Sequence, residues 1–172
     1  MIRILLLGPL SVTIDGTPMP RPKRGRTKGY ELLIYLALHP GSQDRSILAT
    51  KLFDENDENE PGKKLYNLRQ VLSALKESLG SNAKYIDISD SSVSLNNNYF
   101  STDLQDFKKY IQQQRWRDAL GLVRGPFCDT AEFGSWIVTW NTYIETEVEK
   151  CNARLSGIPI LRMNSPDRKS VV

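Results

Sequence analysis

Residues 62 to 80 read GKKLYNLRQVLSALKESLG, and five of them carry side chains able to read the edges of nucleic-acid bases. Asn67 and Gln70 each present a donor and an acceptor side by side, a pattern that fits adenine, while Lys63 and Arg69 fit the paired acceptors of guanine or a phosphate. Tyr66 adds a phenol among them. Lys63, Asn67, Gln70 and Ala74 recur at helical spacing and so form a row along one side of a helix. A helix lying in a major groove requires such a row. The same row also fits the solvated face of an ordinary amphipathic helix, and the residues alone leave both readings open.

A second chemistry sits forty residues earlier in RPKRGRTK, which places Arg21, Lys23, Arg24, Arg26 and Lys28 within eight residues. This density of cations would anchor several phosphates and make affinity fall steeply with salt. Thr27 and the amides of a following helix start would add neutral phosphate contacts, as would Lys64 and Ser73 beside the base-reading row. Such contacts position a duplex without reading its sequence. The net charge of +3 hides how this positive charge is placed. Residues 1–53 hold eight Lys or Arg against three acids and residues 63–84 five against one, whereas 101–172 are nearly balanced. The basic potential therefore belongs to the first half.

Between these basic stretches, DENDENE at 54–60 contributes five carboxylates. A calcium loop is excluded: Asn59 stands where the EF-hand turn needs glycine, and no glutamate occupies its twelfth position. What remains is a solvated loop, or one that phosphate repels from a duplex and that faces protein instead.

The elements that must hold these groups follow from hydrophobic spacing. Ile2 to Leu7 is a buried strand, and SVTIDGTPMP alternates around Asp15-Gly16 as a hairpin, so the chain opens with an antiparallel sheet of about three strands. GYELLIYLALHPG is a largely buried helix stopped at His39-Pro40-Gly41. SQDRSILATKLF is a second helix, capped by Ser42 or Asp44, with Ile47, Leu48, Leu52 and Phe53 on one face. Leu65, Leu68, Leu72, Leu75 and Leu79 give the third and strongest helix, closed by Gly80. KYIDISDSSVSLN turns at Asp90-Ser91 as a second hairpin, whose tip, SDSS, carries no base. Sheet, three helices and a hairpin, with the third helix long and amphipathic, describe an α+β winged helix-turn-helix with an N-terminal antiparallel sheet.

From Ser101 the pattern is helical alone. Thr102 and Gln105 form a capping box ahead of Leu104, Phe107 and Ile111. RWRDALGLV supplies a second helix, and Phe133 to Leu155 hold helical spacing for six turns. These paired helices resemble the start of a helical repeat array, and Trp116, Trp136 and Trp140 fall at core positions within them. The tail 157–172 shows no period.

Several chemistries are excluded by composition. Cys128, Cys151 and the sole histidine, His39, make neither a metal set nor a catalytic triad, and GRTKG lacks the ending of a phosphate-binding P-loop. No enzyme activity and no cofactor are expected. No apolar run reaches the length of a membrane span, and two free thiols are most simply those of a reduced cytoplasmic protein.

Taken in order, RILLLGPLSVTIDGTPMP, LLIYLALHPG, RSILATKLF, KKLYNLRQVLSALKESLG and SVSLNNNYFSTDLQDF resemble consecutive segments of the bacterial SARP-type transcriptional regulators, and RWRDALGLVRGPF with the Trp136 to Leu155 helix resembles the beginning of their second domain. The resemblance covers roughly residues 2 to 155. It implies an OmpR-like winged helix at 1–98, a partial TPR-like bacterial transcriptional activation domain at 101–156, and an irregular tail at 157–172. It further implies binding to double-stranded promoter DNA, with helix 62–79 in the major groove and hairpin 84–96 as the wing, and recruitment of RNA polymerase. Asp54, Glu55, Asp57 and Glu58 become polymerase-contact candidates in this reading. A homodimer on repeated half-sites is left open.

Overall fold

β1 (Ile2–Leu5) lies at the centre of the first sheet, with Ile2 and Ile4 fully buried. The structure, a computed structural model, describes residues 1–19, 28–53, 61–129 and 133–157. β1 pairs antiparallel with β2 (Ser11–Ile14), which pairs with β3 (Thr17–Pro18) across the expected hairpin. Asp15 and Gly16 at that hairpin have φ of +50° and +82°, the left-handed pair that a tight two-residue turn demands.

Next come α1 (Lys28–Leu38), β4 (Gln43–Asp44), α2 (Arg45–Phe53) and α3 (Pro61–Leu79). A 3-10 turn at Gly80–Tyr85 leads to the hairpin β5 (Ile86–Ile88) and β6 (Ser92–Leu95). β4 joins it to make a three-stranded sheet in the order β4-β6-β5. α1 is buried from Tyr30 to Leu38. Leu68, Leu72, Leu75 and Leu79 of α3 are buried and Leu65 is half-buried, so the leucine spacing defines the inner face as expected. Gly80 follows with φ of +52°, the left-handed C′ position of a helix end.

Two expectations about this half are corrected. The first sheet is mixed, with four strands in the order β3-β2-β1-β7. Its fourth strand, β7 (Phe100–Thr102), runs parallel to β1 with Ile2 opposite Phe100 and Ile4 opposite Thr102. A three-residue strand that runs straight into a capping box has no room to show alternation. Ile47 does not face the core but is 54 % exposed. Leu48, Ala49, Leu52 and Phe53 set the buried side of α2, and helical rotation places Ile47 opposite their mean direction. Asp44, and not Ser42, caps this helix: its Oδ1 accepts from the amides of Ser46 and Ile47 at 2.7 and 3.1 Å.

The second half comprises α4 (Asp103–Gln112), α5 (Trp116–Gly121) and α6 (Trp136–Leu155). α4 begins at the capping box, Thr102 Oγ1 accepting from the Gln105 amide at 3.0 Å and Gln105 Oε1 from the Thr102 amide at 2.9 Å. α5 ends at Gly121, so Leu122 and Val123 follow the helix that was expected to hold them. Phe133 precedes α6 and stacks on Trp136, ring centroids 5.8 Å apart.

Two buried carboxylates join the halves. Asp103 accepts from the amides of Leu6 and Leu7 at 2.7 and 3.0 Å and from Arg124 Nη2 at 2.9 Å. Gly8 sits so close to Arg124 that an added Cβ would lie 2.8 Å from the arginine Cβ. Glu31, 1 % exposed, accepts from the Gly134 amide and from Trp136 Nε1 at 3.0 Å each. Around it Tyr35 meets Trp136 edge-on at 5.3 Å, and His39, stacked on Tyr35, meets Trp140 at 5.9 Å. Trp136 and Trp140 thus pack, half-buried, against the core beside α1.

Candidate nucleic-acid interface

α3 is held from behind by α2 and α1 through its buried leucines, which leaves the opposite side free to face outward. On that side lie Lys63, Tyr66, Arg69, Gln70, Ser73, Ala74, Lys76 and Glu77, all exposed. Tyr66 is 57 % exposed, the largest side chain of this face. Asn67 and Lys64 sit at its margin and are half-buried. The outward face is therefore centred on Tyr66, Gln70 and Ser73, with Asn67 at its edge, turned by about 60° from where spacing alone had put the middle of the row. Glu77 is the sole acid of α3 and stands near its far end, so the face is cationic and amide-bearing over its first four turns.

The hairpin stands beside the far end of α3. Lys76 shares a shallow depression with Ile86, Asp87, Ile88, Ser89, Ser92 and Ser94, so the outward surface of α3 runs on into the hairpin. The turn at 89–91 is braced internally, with the Ser92 amide donating to Ser89 Oγ at 3.0 Å. It is also braced from outside. Arg45, the first residue of α2, donates from Nη1 to the Ser89 and Asp90 carbonyls at 3.1 and 3.3 Å, and its amide donates to the Ser91 carbonyl at 2.9 Å. Nothing in the local sequence signals this contact, because it joins positions more than forty residues apart through the pairing of β4 with β6.

Of the phosphate candidates before α1, Arg21, Lys23, Arg24, Arg26 and Thr27 lie outside the described residues, as do Asp54, Glu55, Asp57 and Glu58 of the acidic block. The edges of the basic segment are described. Tyr30 donates its hydroxyl to the Met19 carbonyl at 2.6 Å, which brings those edges together. Lys28 has a protein partner: its Nζ lies 2.7 Å from Glu31 Oε2 and 5.8 Å from the centre of the Phe53 ring.

Among the described residues no group of three or more His, Cys, Asp and Glu side chains could hold a metal ion. Cys128 and Cys151 are free and buried; burial pushes both thiols up from their ordinary value, most strongly at Cys128, where the Asp103 carboxylate adds to it. Among the described residues no helix is long and apolar enough to cross a membrane.

No family model matches the chain, and no curated protein matches it. Among solved structures, Mycobacterium tuberculosis EmbR in complex with a low affinity phosphopeptide matches with a TM-score of 0.64 at 20 % identity, over 88 % of this chain and 44 % of that one. The chain shares its fold with EmbR. EmbR is a SARP-family regulator, and the likeness supports a SARP-like fold that takes in both the sheet-and-helix half and the helical half described above. The chain spans less than half the length of the EmbR chain.

Proposed function

We propose that the chain is a sequence-specific DNA-binding transcription regulator of the SARP kind, acting as an activator. α3 enters the major groove of double-stranded DNA, with Tyr66, Gln70, Arg69 and Lys63 directed at base edges and Asn67 at the margin of the contact. Lys64, Ser73 and the basic segment Arg21, Lys23, Arg24, Arg26 and Thr27 hold phosphates. Lys28 is assigned to Glu31 instead. α4 to α6, as the start of a TPR-like activation domain, and the acidic residues Asp54, Glu55, Asp57 and Glu58 serve contacts with RNA polymerase. The reading requires no catalytic step and no cofactor.

One observation carries it: the exposed face of α3 keeps amide, phenol, guanidinium and ammonium groups together with no carboxylate before Glu77, on a helix held rigid from behind by buried leucines. A merely solvated helix gains from mixing both signs of charge along its surface, and this one does not mix them. The SARP-like fold supports this reading.

Binding to random duplex DNA across a salt series tests the proposal. Each phosphate contact contributes about −0.9 to the log-log slope, so a slope of several units is expected. Absence of binding at low salt would remove the proposal and leave a protein-interaction scaffold as the better account. Selection of binding sites from a random DNA pool then tests sequence specificity, an unenriched pool counting against it.

A further inference from the structure

We propose that Arg45 supplies the cation that the hairpin tip lacks, and that with Lys76 it seats a DNA phosphodiester against the turn at residues 89–91. The inference rests on the DNA-binding reading and adds to it a contact that the hairpin's own sequence does not offer.

The turn consists of Ser89, Asp90 and Ser91 and has no basic side chain. A hairpin approaching a duplex with only hydroxyls and a carboxylate would gain little from the phosphates. Arg45 changes that balance from a neighbouring element. Its Nη1 is engaged by the Ser89 and Asp90 carbonyls, and among the described residues it makes no ion pair, so the donors on Nη2 and Nε remain for a ligand. The guanidinium is planar, and two carbonyls on one edge fix its orientation before any ligand arrives. A fork held in this way suits the paired oxygens of a phosphodiester.

A second cation meets the same hairpin. Lys76 of α3 is exposed and lines the depression shared with Ser89, Ser92 and Ser94. Arg45 holds the Ser89 carbonyl, so both cations reach the hairpin at Ser89; the Ser89 and Ser92 hydroxyls bond each other at 2.9 Å, which leaves the exposed Ser91 hydroxyl to donate to a phosphate oxygen. Asp87 and Asp90 are also exposed there and oppose an anion. Their repulsion makes the seat dependent on the two cations, because the hairpin tip itself carries negative charge alone.

The experiment follows binding of the full chain to random duplex over a salt series, comparing wild type with Arg45→Ala, Arg45→Lys and Arg45→Gln. Arg45→Ala should lower the log-log slope by about one unit and weaken low-salt binding about five- to tenfold. Arg45→Lys, which keeps the charge, should restore the slope. Arg45→Gln, which keeps a donor for the carbonyls without charge, should behave as the alanine variant does and stands in for it if alanine disturbs folding. A slope unchanged in Arg45→Ala and Arg45→Gln would overturn the inference and leave Arg45 as a brace for the turn. Saturable binding of inorganic phosphate near Ser91, seen in amide chemical shifts, together with an unchanged DNA slope would assign the seat to a free anion and overturn it equally. Wild type that fails to bind duplex at low salt would instead remove the DNA-binding reading itself.

Discussion

Glu31 of α1 accepts a hydrogen bond from the Trp136 indole of α6 at 3.0 Å, although 105 residues separate them in the chain. The same carboxylate binds the Gly134 amide and pairs with Lys28. A side chain added at Gly134 would lie 3.1 Å from the Trp136 ring and 3.4 Å from Glu31 Oε1, so this position leaves little space for anything larger. The helical half is therefore attached to the helix that emerges directly from the basic segment.

Removing that carboxylate should be costly. Glu31→Ala leaves an indole N–H and a backbone amide buried without partners, and a loss of about 2–4 kcal/mol is expected. Glu31→Gln keeps an acceptor and should cost about half as much. Urea unfolding followed by tryptophan fluorescence measures both. Wild-type midpoints in both variants would mean that the seam contributes nothing to stability.

Lys28 offers the complementary case. Its ammonium rests on a buried carboxylate, so Lys28→Met should reduce stability by about 1–2 kcal/mol while the salt slope of DNA binding stays at its wild-type value. A slope reduced by about one unit would show that Lys28 touches phosphate after all.

Within α3 the exposed side chains separate from the half-buried one. Gln70→Ala should cost about 1–3 kcal/mol in binding to a selected site and much less on random duplex. Asn67→Ala should alter specificity less than Gln70→Ala, because Asn67 lies at the edge of the exposed face. The opposite ranking in competition assays would move the centre of the contact to Asn67.

The two thiols give a pH dependence of stability. Burial holds the folded thiols above their ordinary value, so the folded state keeps its thiol protons at a pH where the unfolded chain loses them. The stabilisation is complete below the unfolded thiol value of about 8.5 and declines as pH rises from there towards the folded values. Unfolding free energy should fall by up to about 1.4 kcal/mol per pH unit per thiol above that point. Cys128→Ala should flatten the decline, and in the wild type a thiol reagent should label Cys128 only as fast as the chain unfolds. Rapid labelling under native conditions would contradict its burial.

Much of the first half is readable from spacing because its signals are local. The leucines of α3, the Asp15-Gly16 turn and the Thr102–Gln105 box each lie within one or two turns of chain, and each is found where periodicity places it. What spacing could not show depends on partners far away in sequence. β7 is a strand because β1 needs a second neighbour, Ile47 is exposed because α2 docks through its other side, and Arg45 matters because β4 lies beside β6. Glu31 and Asp103 look like ordinary acids at helix starts, where charge is favoured anyway, and nothing local marks them as buried. The polar row of α3 was legible as a row; the centre of its exposed face was not, since that depends on how α3 is turned against α1 and α2.

Because β7 lies beside β1, β1 keeps one edge uncovered during synthesis until Thr102 has been made. Most of the first half must be translated before the opening sheet is complete, and pairings between such distant segments form slowly. During that interval the open edge is a template for strands of other chains. The timing of synthesis, and not only the finished contacts, thus becomes part of what this protein requires to reach its native state.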